Sequence, residues 1–90
     1  MSIKEQFDLS VQLVNGLAKT PTDDELLKLY GLYKQSSVGD CKTEEPSFLY
    51  LRERAKWNAW KAHKGKKKDL AMSEYGDLAL KMADKYGTKN

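Results

Sequence analysis

The sequence predicts an all-α protein, and three observations lead to this prediction. Apolar residues recur every three or four positions along most of the chain, which is the spacing of one helix face. No stretch shows the sustained apolar and polar alternation that is typical of strands. Two capping boxes also indicate helix starts, and they consist of Ser2 with Glu5 and Thr22 with Glu25. Since 90 residues suffice for only one domain, four amphipathic helices should form a single four-helix bundle.

The first predicted helix runs from about Ile3 to Leu17. It should end near Gly16, before a break at Pro21, which cannot continue a helix. Its apolar stripe at a spacing of three and four consists of Ile3, Phe7, Val11, Val14 and Ala18. The simplest interpretation of such a stripe is hydrophobic core, and we adopt it here for Phe7, Val11 and Val14.

The second predicted helix spans about Asp23 to Ser37, and Gly39 stops it. Along it, Tyr30, Tyr33 and Lys34 stand at positions i, i+3 and i+4, which share one helix face. This face combines two aromatic rings, two hydroxyls and one positive charge. It therefore suits a ligand that has both a flat ring and a phosphate.

The residues after the second helix, 40–47, mix polar residues and Pro46 without periodicity, which predicts a long ordered loop. A short loop would force the next helix to return antiparallel, whereas a long one permits a crossover. The third predicted helix covers about Leu51 to His63, and Gly65 closes it.

The fourth predicted helix covers about Lys67 to Tyr86 and ends at Gly87. Its start is weakly marked, because the lysines at 66–68 are poor caps and oppose the helix dipole. Its inward stripe consists of Ala71, Tyr75, Leu78, Met82 and Tyr86. Core is the expected role of the aliphatic members. A buried tyrosine needs a partner for its hydroxyl, so Tyr75 together with the tyrosines of the second helix suggests a site with a polar end.

Lys56 departs most clearly from the pattern of its helix. It lies between Ala59 and Trp60 in angle, on a face that should point inward, where an unpartnered ammonium is costly. It either extends to the edge of the bundle or binds an anion. Lys34 borders the Tyr30 stripe in the same way, so two lysines and a phenol can together bind one phosphate.

Composition excludes several classes of function. The net charge of +3 is mild and suits a small anionic ligand at least as well as a nucleic acid. Cys41 and His63 lack neighbours at metal-ligand or catalytic spacing, so we expect no metal, no cofactor and no enzyme, and a bland cysteine near the solvent. No segment has the apolar length of a membrane span, and the start lacks a signal-peptide core. A cytoplasmic location follows as the expectation.

Several ordered motifs resemble the acyl-CoA-binding protein family from about Phe7 to Gly87. They are PTDDELL at 21–27, YxxYKQxxVGD at 30–40, Pro46, AKWNAW at 55–60 with Gly65, and Ala71-Met72 followed by Tyr75 and Lys85-Tyr86-Gly87. The resemblance implies one acyl-CoA-binding domain over residues 1–90 with up-down-down-up topology. It implies a non-catalytic carrier and pool former for medium- to long-chain fatty acyl-CoA esters.

The resemblance also implies roles for five residues. Tyr30, Lys34 and Lys56 match the family positions that bind the 3'-phosphate of the CoA ribose. Tyr33 matches the position that lies against the adenine, and Tyr75 matches the remaining ligand tyrosine. The family shields the acyl chain in a groove beneath the nucleotide.

Three features depart from what many members of the family have: Asn15 in place of a lysine near the ligand, Gly76 inside a helix, and the lysine run at 66–68. An alternative function is a small basic helical module that binds nucleic acid or an acidic protein surface through Lys61, Lys64, Lys66, Lys67 and Lys68. A charge run of this kind is more often a solvated helix end. We therefore expect a monomer that binds fatty acyl-CoA and no nucleic acid, with transient contacts to membranes or acyl-CoA-using enzymes.

Overall fold

The computed structural model describes residues 1–89, which form four helices. They are α1 (Ile3–Asn15), α2 (Asp23–Ser37), α3 (Leu51–Lys61) and α4 (Lys68–Tyr86). The prediction of an all-α four-helix bundle is confirmed. Residue 90 of the predicted domain lies outside the described residues. None of the helices in residues 1–89 combines the length and the apolar character needed to cross a bilayer.

The helices pack in an up-down-down-up arrangement. α4 packs against α1 and α2, whereas α3 packs against α2 alone. Residues 38–50 link α2 to α3 without a helix, and this long connection lets the two helices run in the same direction. The bundle is flat, with extents of 40 × 28 × 14 Å. Because α3 packs against α2 alone, it stands at the edge of the bundle with one side open.

Local signals explain where the helices begin and end. The hydroxyl of Thr22 accepts the backbone N–H of Glu25 at 3.2 Å, and α2 has the predicted bounds. α1 ends two residues before the predicted end, because Gly16 caps it and Leu17 leaves the helix to form an isolated antiparallel bridge with Thr88. α3 ends at Lys61 rather than His63, and neither α3 nor α4 has a side-chain N-cap bond.

The core lies between α1, α2 and α4. Its buried members are Phe7, Leu17, Leu29, Leu32, Ala71, Tyr75, Ala79 and Met82. The predicted core residues Val11, Val14 and Leu78 are only partly buried and pack against this cluster. α3 approaches α2 closely at Gly31, where an added Cβ would lie 2.3 Å from the carbonyl oxygen of Ala59.

The expectation that Cys41 lies near the solvent is wrong, because the α2–α3 connection folds against α3 and buries it to 2% exposure. Its sulfur lies 3.4 Å from the hydroxyl of Thr43. Two indole N–H groups of α3 hold the connection, since Trp60 donates to the carbonyl of Gly39 at 2.7 Å and Trp57 to that of Thr43 at 3.1 Å. The tertiary fold, not the local sequence, therefore decides the environment of this thiol.

Candidate ligand-binding site

Tyr30 of α2 and Lys56 of α3 meet at the open side of the bundle. The ammonium of Lys56 lies 4.7 Å from the centroid of the Tyr30 ring, and both side chains are half-buried. Both residues also line two neighbouring cavities. The pair therefore forms a wall that the two cavities share.

The larger cavity has a volume of about 440 Å³, within the range of small-molecule sites. It is lined by Asp23, Leu26, Leu27, Tyr30, Arg52, Ala55 and Lys56. Helical spacing brings these side chains together, because Leu26 precedes Tyr30 by one turn and Ala55 follows Arg52 by three residues. The lining combines apolar side chains with charged ones, which suits an apolar ligand segment attached to a charged group.

The smaller cavity, of about 170 Å³, lies between α2, α3 and the connection before α3. Its lining consists of Tyr30, Thr43, Glu44, Pro46, Glu53, Lys56, Trp57 and Trp60. Pro46, which the sequence analysis placed in the ordered loop, thus contributes to the site.

Lys34 and Lys56 are in similar surroundings. The ammonium of Lys34 lies 4.7 Å from the centroid of the Trp60 ring, and the ammonium of Lys56 lies at the same distance from the centroid of the Tyr30 ring. Among residues 1–89, neither lysine forms an ion pair with a carboxylate. A cation over a ring is worth about 0.5 to 1 kcal/mol at exposed sites, less than a charge-assisted hydrogen bond to a phosphate. Both ammonium groups are therefore available to an anion.

Tyr33 and Tyr75 lie in a second group, around Phe7 of α1. The Tyr33 ring stacks on Phe7 with centroids 5.9 Å apart and an interplanar angle of 29°, yet Tyr33 remains 40% exposed. Tyr75 meets the same Phe7 edge-on at 5.2 Å and is only 3% exposed. Burial, with a smaller contribution from Tyr33, raises the pKa of Tyr75 to about 12. Tyr75 is thus neutral at ordinary pH and has little surface for a ligand.

The structure brings the five predicted residues together in two groups rather than one. Tyr30 and Lys56 meet at the α2–α3 contact, where Lys34 lies over Trp60 of α3. Tyr33 and Tyr75 meet where α2 and α4 pack with Phe7 of α1. Both groups include residues of α2. The sequence analysis missed the ring partners Phe7 and Trp60 and the cavity residues Leu26, Leu27, Arg52 and Ala55. The spacing from Leu26 to Tyr30 was an available signal, whereas nothing local distinguished Phe7 from an ordinary core residue.

The lysine run does not form an uninterrupted basic face. Lys66 is half-buried, its ammonium pairs with Glu74 at 2.6 Å, and it lies 3.1 Å from Nδ1 of His63. Burial, followed by the charge of Lys66, lowers the pKa of His63. None of Lys66, Lys67 and Lys68 lines either cavity. Within residues 1–89, no cluster of three or more histidine, cysteine or acidic residues could hold a metal ion.

The fold, the two cavities and the unpaired lysines are typical of one class of protein: a small helical binding protein. Residues 4–79 match the model of the family described as acyl CoA binding protein. The chain is 44% identical over 84 residues to an acyl-CoA-binding protein homolog of Drosophila melanogaster, covering 93% of this chain and 98% of that protein. It is also 48% identical over 75 residues to an acyl-CoA-binding protein of Brassica napus, with 83% and 82% covered.

Solved structures agree with this relationship. The fold matches the crystal structure of acyl-CoA-binding protein 2 of Oryza sativa with a TM-score of 0.88, 36% identity, and coverage of 92% of this chain and 90% of that one. The chain belongs to the acyl-CoA-binding protein family, whose members are non-catalytic binding proteins.

Proposed function

We propose that the two cavities, Lys56 at their border and Lys34 over Trp60 bind a medium- to long-chain fatty acyl-CoA ester, in keeping with the family to which this carrier belongs. One observation supports this assignment above the others. The ammonium groups of two half-buried lysines, which have no carboxylate partners in residues 1–89, lie over rings at the α2–α3 contact, and Lys56 also borders the 440 Å³ cavity. An amphiphile with a phosphate-bearing head and a long apolar tail satisfies both features.

The head of the ligand is assigned to three residues and one ring. Lys34 and Lys56 bind the 3'-phosphate of the CoA ribose, and the hydroxyl of Tyr30 donates to it. Tyr33 stacks on the adenine with its exposed side, since its other side packs on Phe7. Tyr75 is nearly fully buried, so we assign it to holding Phe7 and Tyr33 in position.

The acyl tail is assigned to the larger cavity, where Leu26, Leu27 and Ala55 provide apolar surface. Burial of the tail removes it from water, and this favours retention of the ester by the protein. The resulting role is pooling, protection and delivery of acyl-CoA by a monomer in the cytoplasm.

Calorimetric titration of the apo protein with CoA, a series of acyl-CoA esters and free fatty acid tests the assignment. Each buried methylene should contribute up to about 0.8 kcal/mol, so two added carbons tighten binding by up to roughly tenfold until the cavity is full. Free fatty acid should bind poorly, because it lacks the nucleotide. Free CoA that binds as tightly as its long-chain esters would show that the cavity takes no tail.

Salt separates this function from binding of a nucleic acid or an acidic protein surface. Affinity for a polyanion falls steeply with salt, whereas the contribution of an acyl tail persists. Binding of a long-chain ester should therefore retain most of its dependence on chain length in high salt. A complete loss of that dependence would favour the polyanion alternative.

A further inference from the structure

Four consecutive large apolar side chains are exposed where the connection meets α3. Phe48, Leu49, Tyr50 and Leu51 are 69%, 74%, 62% and 76% exposed, and we call residues 48–51 the tip. Single exposed apolar residues are ordinary on a soluble protein, but a contiguous group marks an interaction surface.

The tip is an ordered projection. The hydroxyl of Ser47 accepts the N–H of Leu49 at 3.2 Å, and the carbonyl of Ser47 accepts the N–H of Tyr50 at 2.9 Å. Behind this turn, Arg54 pairs with Glu45 at 2.7 Å and ties α3 to the connection. The fold thus holds the apolar side chains out into the solvent.

The tip also lies beside the larger cavity. Its last residue, Leu51, directly precedes Arg52, which lines that cavity. Leu26, another exposed apolar residue at 39%, lines the same cavity from α2. An acyl chain that leaves the cavity on this side would meet the tip.

We propose that the tip inserts into the surface of a lipid bilayer when the protein takes up or releases its ligand. The link to uptake and release rests on the proposed function, whereas the insertion itself does not. Consecutive exposed residues do not present the i, i+3 and i+4 face that a groove on a partner protein recognises. A bilayer requires no matching shape, and aromatic side chains with polar tips such as Tyr50 suit its interface. A long acyl chain enters bilayers because its methylenes are buried there, as they are in the proposed cavity. A lipid surface is therefore where the ligand is found.

The charge around the tip is close to balanced, which permits its insertion into a neutral bilayer. Arg52 forms no ion pair within residues 1–89, and it follows the tip directly, at the depth of the lipid phosphates when the tip inserts. Arg54, by contrast, is neutralised by Glu45. Glu53, which directly follows Arg52 and is exposed, also forms no ion pair within residues 1–89, so the free charges beside the tip nearly cancel. Insertion of apolar surface therefore dominates, and the association should depend little on salt.

Flotation with phosphatidylcholine vesicles tests the insertion directly, without acyl-CoA. The double variant F48S/L49S changes two exposed side chains, and L70S/L80S on α4 is the matched control, at 52% and 65% exposure. The tip variant should associate about tenfold more weakly, the effect of losing two partly inserted apolar side chains, and the control should match the wild type. Equal loss in both variants, or wild-type binding only to phosphatidylserine vesicles at low salt, would overturn the proposal.

The ligand step is tested by the rate at which the loaded protein transfers a fluorescent acyl-CoA to vesicles. If the tip touches the bilayer, the wild-type rate rises with vesicle concentration, and F48S/L49S loses this dependence while its affinity for the ester in solution is unchanged. A wild-type rate independent of vesicle concentration would overturn the proposal. A tip variant that binds the ester more weakly in solution would also overturn it, because the tip would then contact the ligand. Self-association of the wild type that the tip variant lacks would overturn it as well, because the tip would then bind a second copy of the chain. Failure of the wild type to bind any ester would instead contradict the proposed function and leave the flotation result standing.

Discussion

The ammonium of Lys56 lies 4.7 Å from the centroid of the Tyr30 ring, and no carboxylate pairs with it among residues 1–89. α3 reaches this position because Gly31 lets its backbone approach α2. The Tyr30 ring lies on α2 and the Lys56 ammonium on α3, so an anion bound there can contact both the phenol hydroxyl and the cation. The packing of α2 against α3 therefore places the two groups that the proposed phosphate site requires.

Lys56→Ala should weaken binding of an acyl-CoA ester by about 2 kcal/mol or more, the scale of losing one partner of a buried charge pair. The loss should shrink greatly for an ester without the 3'-phosphate. Calorimetry with both ligands measures the difference, and Lys28→Ala, an exposed lysine of α2, is the matched control. Equal losses for both ligands would mean that Lys56 acts through folding or general charge.

Tyr33→Ala should weaken binding by roughly 1 to 3 kcal/mol, because it removes the ring that stacks on adenine. Tyr33→Phe retains the plane and should cost much less. Since Tyr33 also packs on Phe7, the unfolding free energy of each variant should be measured beside its affinity. A phenylalanine variant as weak as the alanine variant would assign the contact to the hydroxyl.

The same substitution should have opposite effects at two helical glycines. At Gly31, a new Cβ would lie 2.3 Å from the backbone oxygen of Ala59, and the overpacking cost of about 1 to 3 kcal/mol should exceed the gain of about 1 kcal/mol in helix propensity. At Gly76, the nearest atom is the Ser10 hydroxyl oxygen at 3.3 Å, which donates to the carbonyl of Gln6. This exposed hydroxyl needs to move by only a few tenths of an ångström, so Gly76→Ala should stabilise by up to about 1 kcal/mol. Urea unfolding measures both. A stabilising Gly31→Ala would contradict the close approach of α2 and α3.

Glu25 should make stability depend on pH in the acid range. Lys85 donates to its carboxylate at 2.8 Å and Tyr86 donates to the other oxygen, and with the Thr22 backbone they lower the pKa of Glu25 from 4.5 to about 2. The unfolded chain therefore binds this proton more readily than the folded one. The stabilisation is complete above the unfolded pKa of 4.5 and is lost as pH falls toward about 2.

The measurement is the difference in unfolding free energy between the wild type and Glu25→Gln as a function of pH. This difference should be largest near neutral pH and should shrink as pH falls through that acid window. Asp84→Asn serves as the control, since Asp84 is exposed and forms no ion pair within residues 1–89. A difference that stays constant down to acid pH would show that Glu25 acts only as an uncharged cap. At the alkaline end, the part that depends on charged Lys85 should be lost as pH rises through its raised pKa.

The sequence by itself determined the four helices, the bounds of α2 and part of the core, namely Phe7, Ala71 and Met82. These features follow from short-range physics: a capping box satisfies the first N–H groups of a helix, and a spacing of three and four places side chains on one face. For the same reason, Tyr30, Tyr33 and Lys34 could be placed on a shared helix from sequence. The inward angle of Lys56 brought the third helix into the predicted site in the same way, and the resemblance to the family added the identity of the ligand and the role of each residue.

Only the tertiary structure decided which residues face one another across helices. The close approach at Gly31, the position of Lys34 over Trp60 and the packing of Phe7 against Tyr33 each join distant parts of the chain. Cys41 was assigned wrongly for the same reason, since its burial depends on indole bonds from α3 to the connection. Burial and the pairing of charges are properties of the packed interior, and local spacing carries no information about which distant element covers a given side chain.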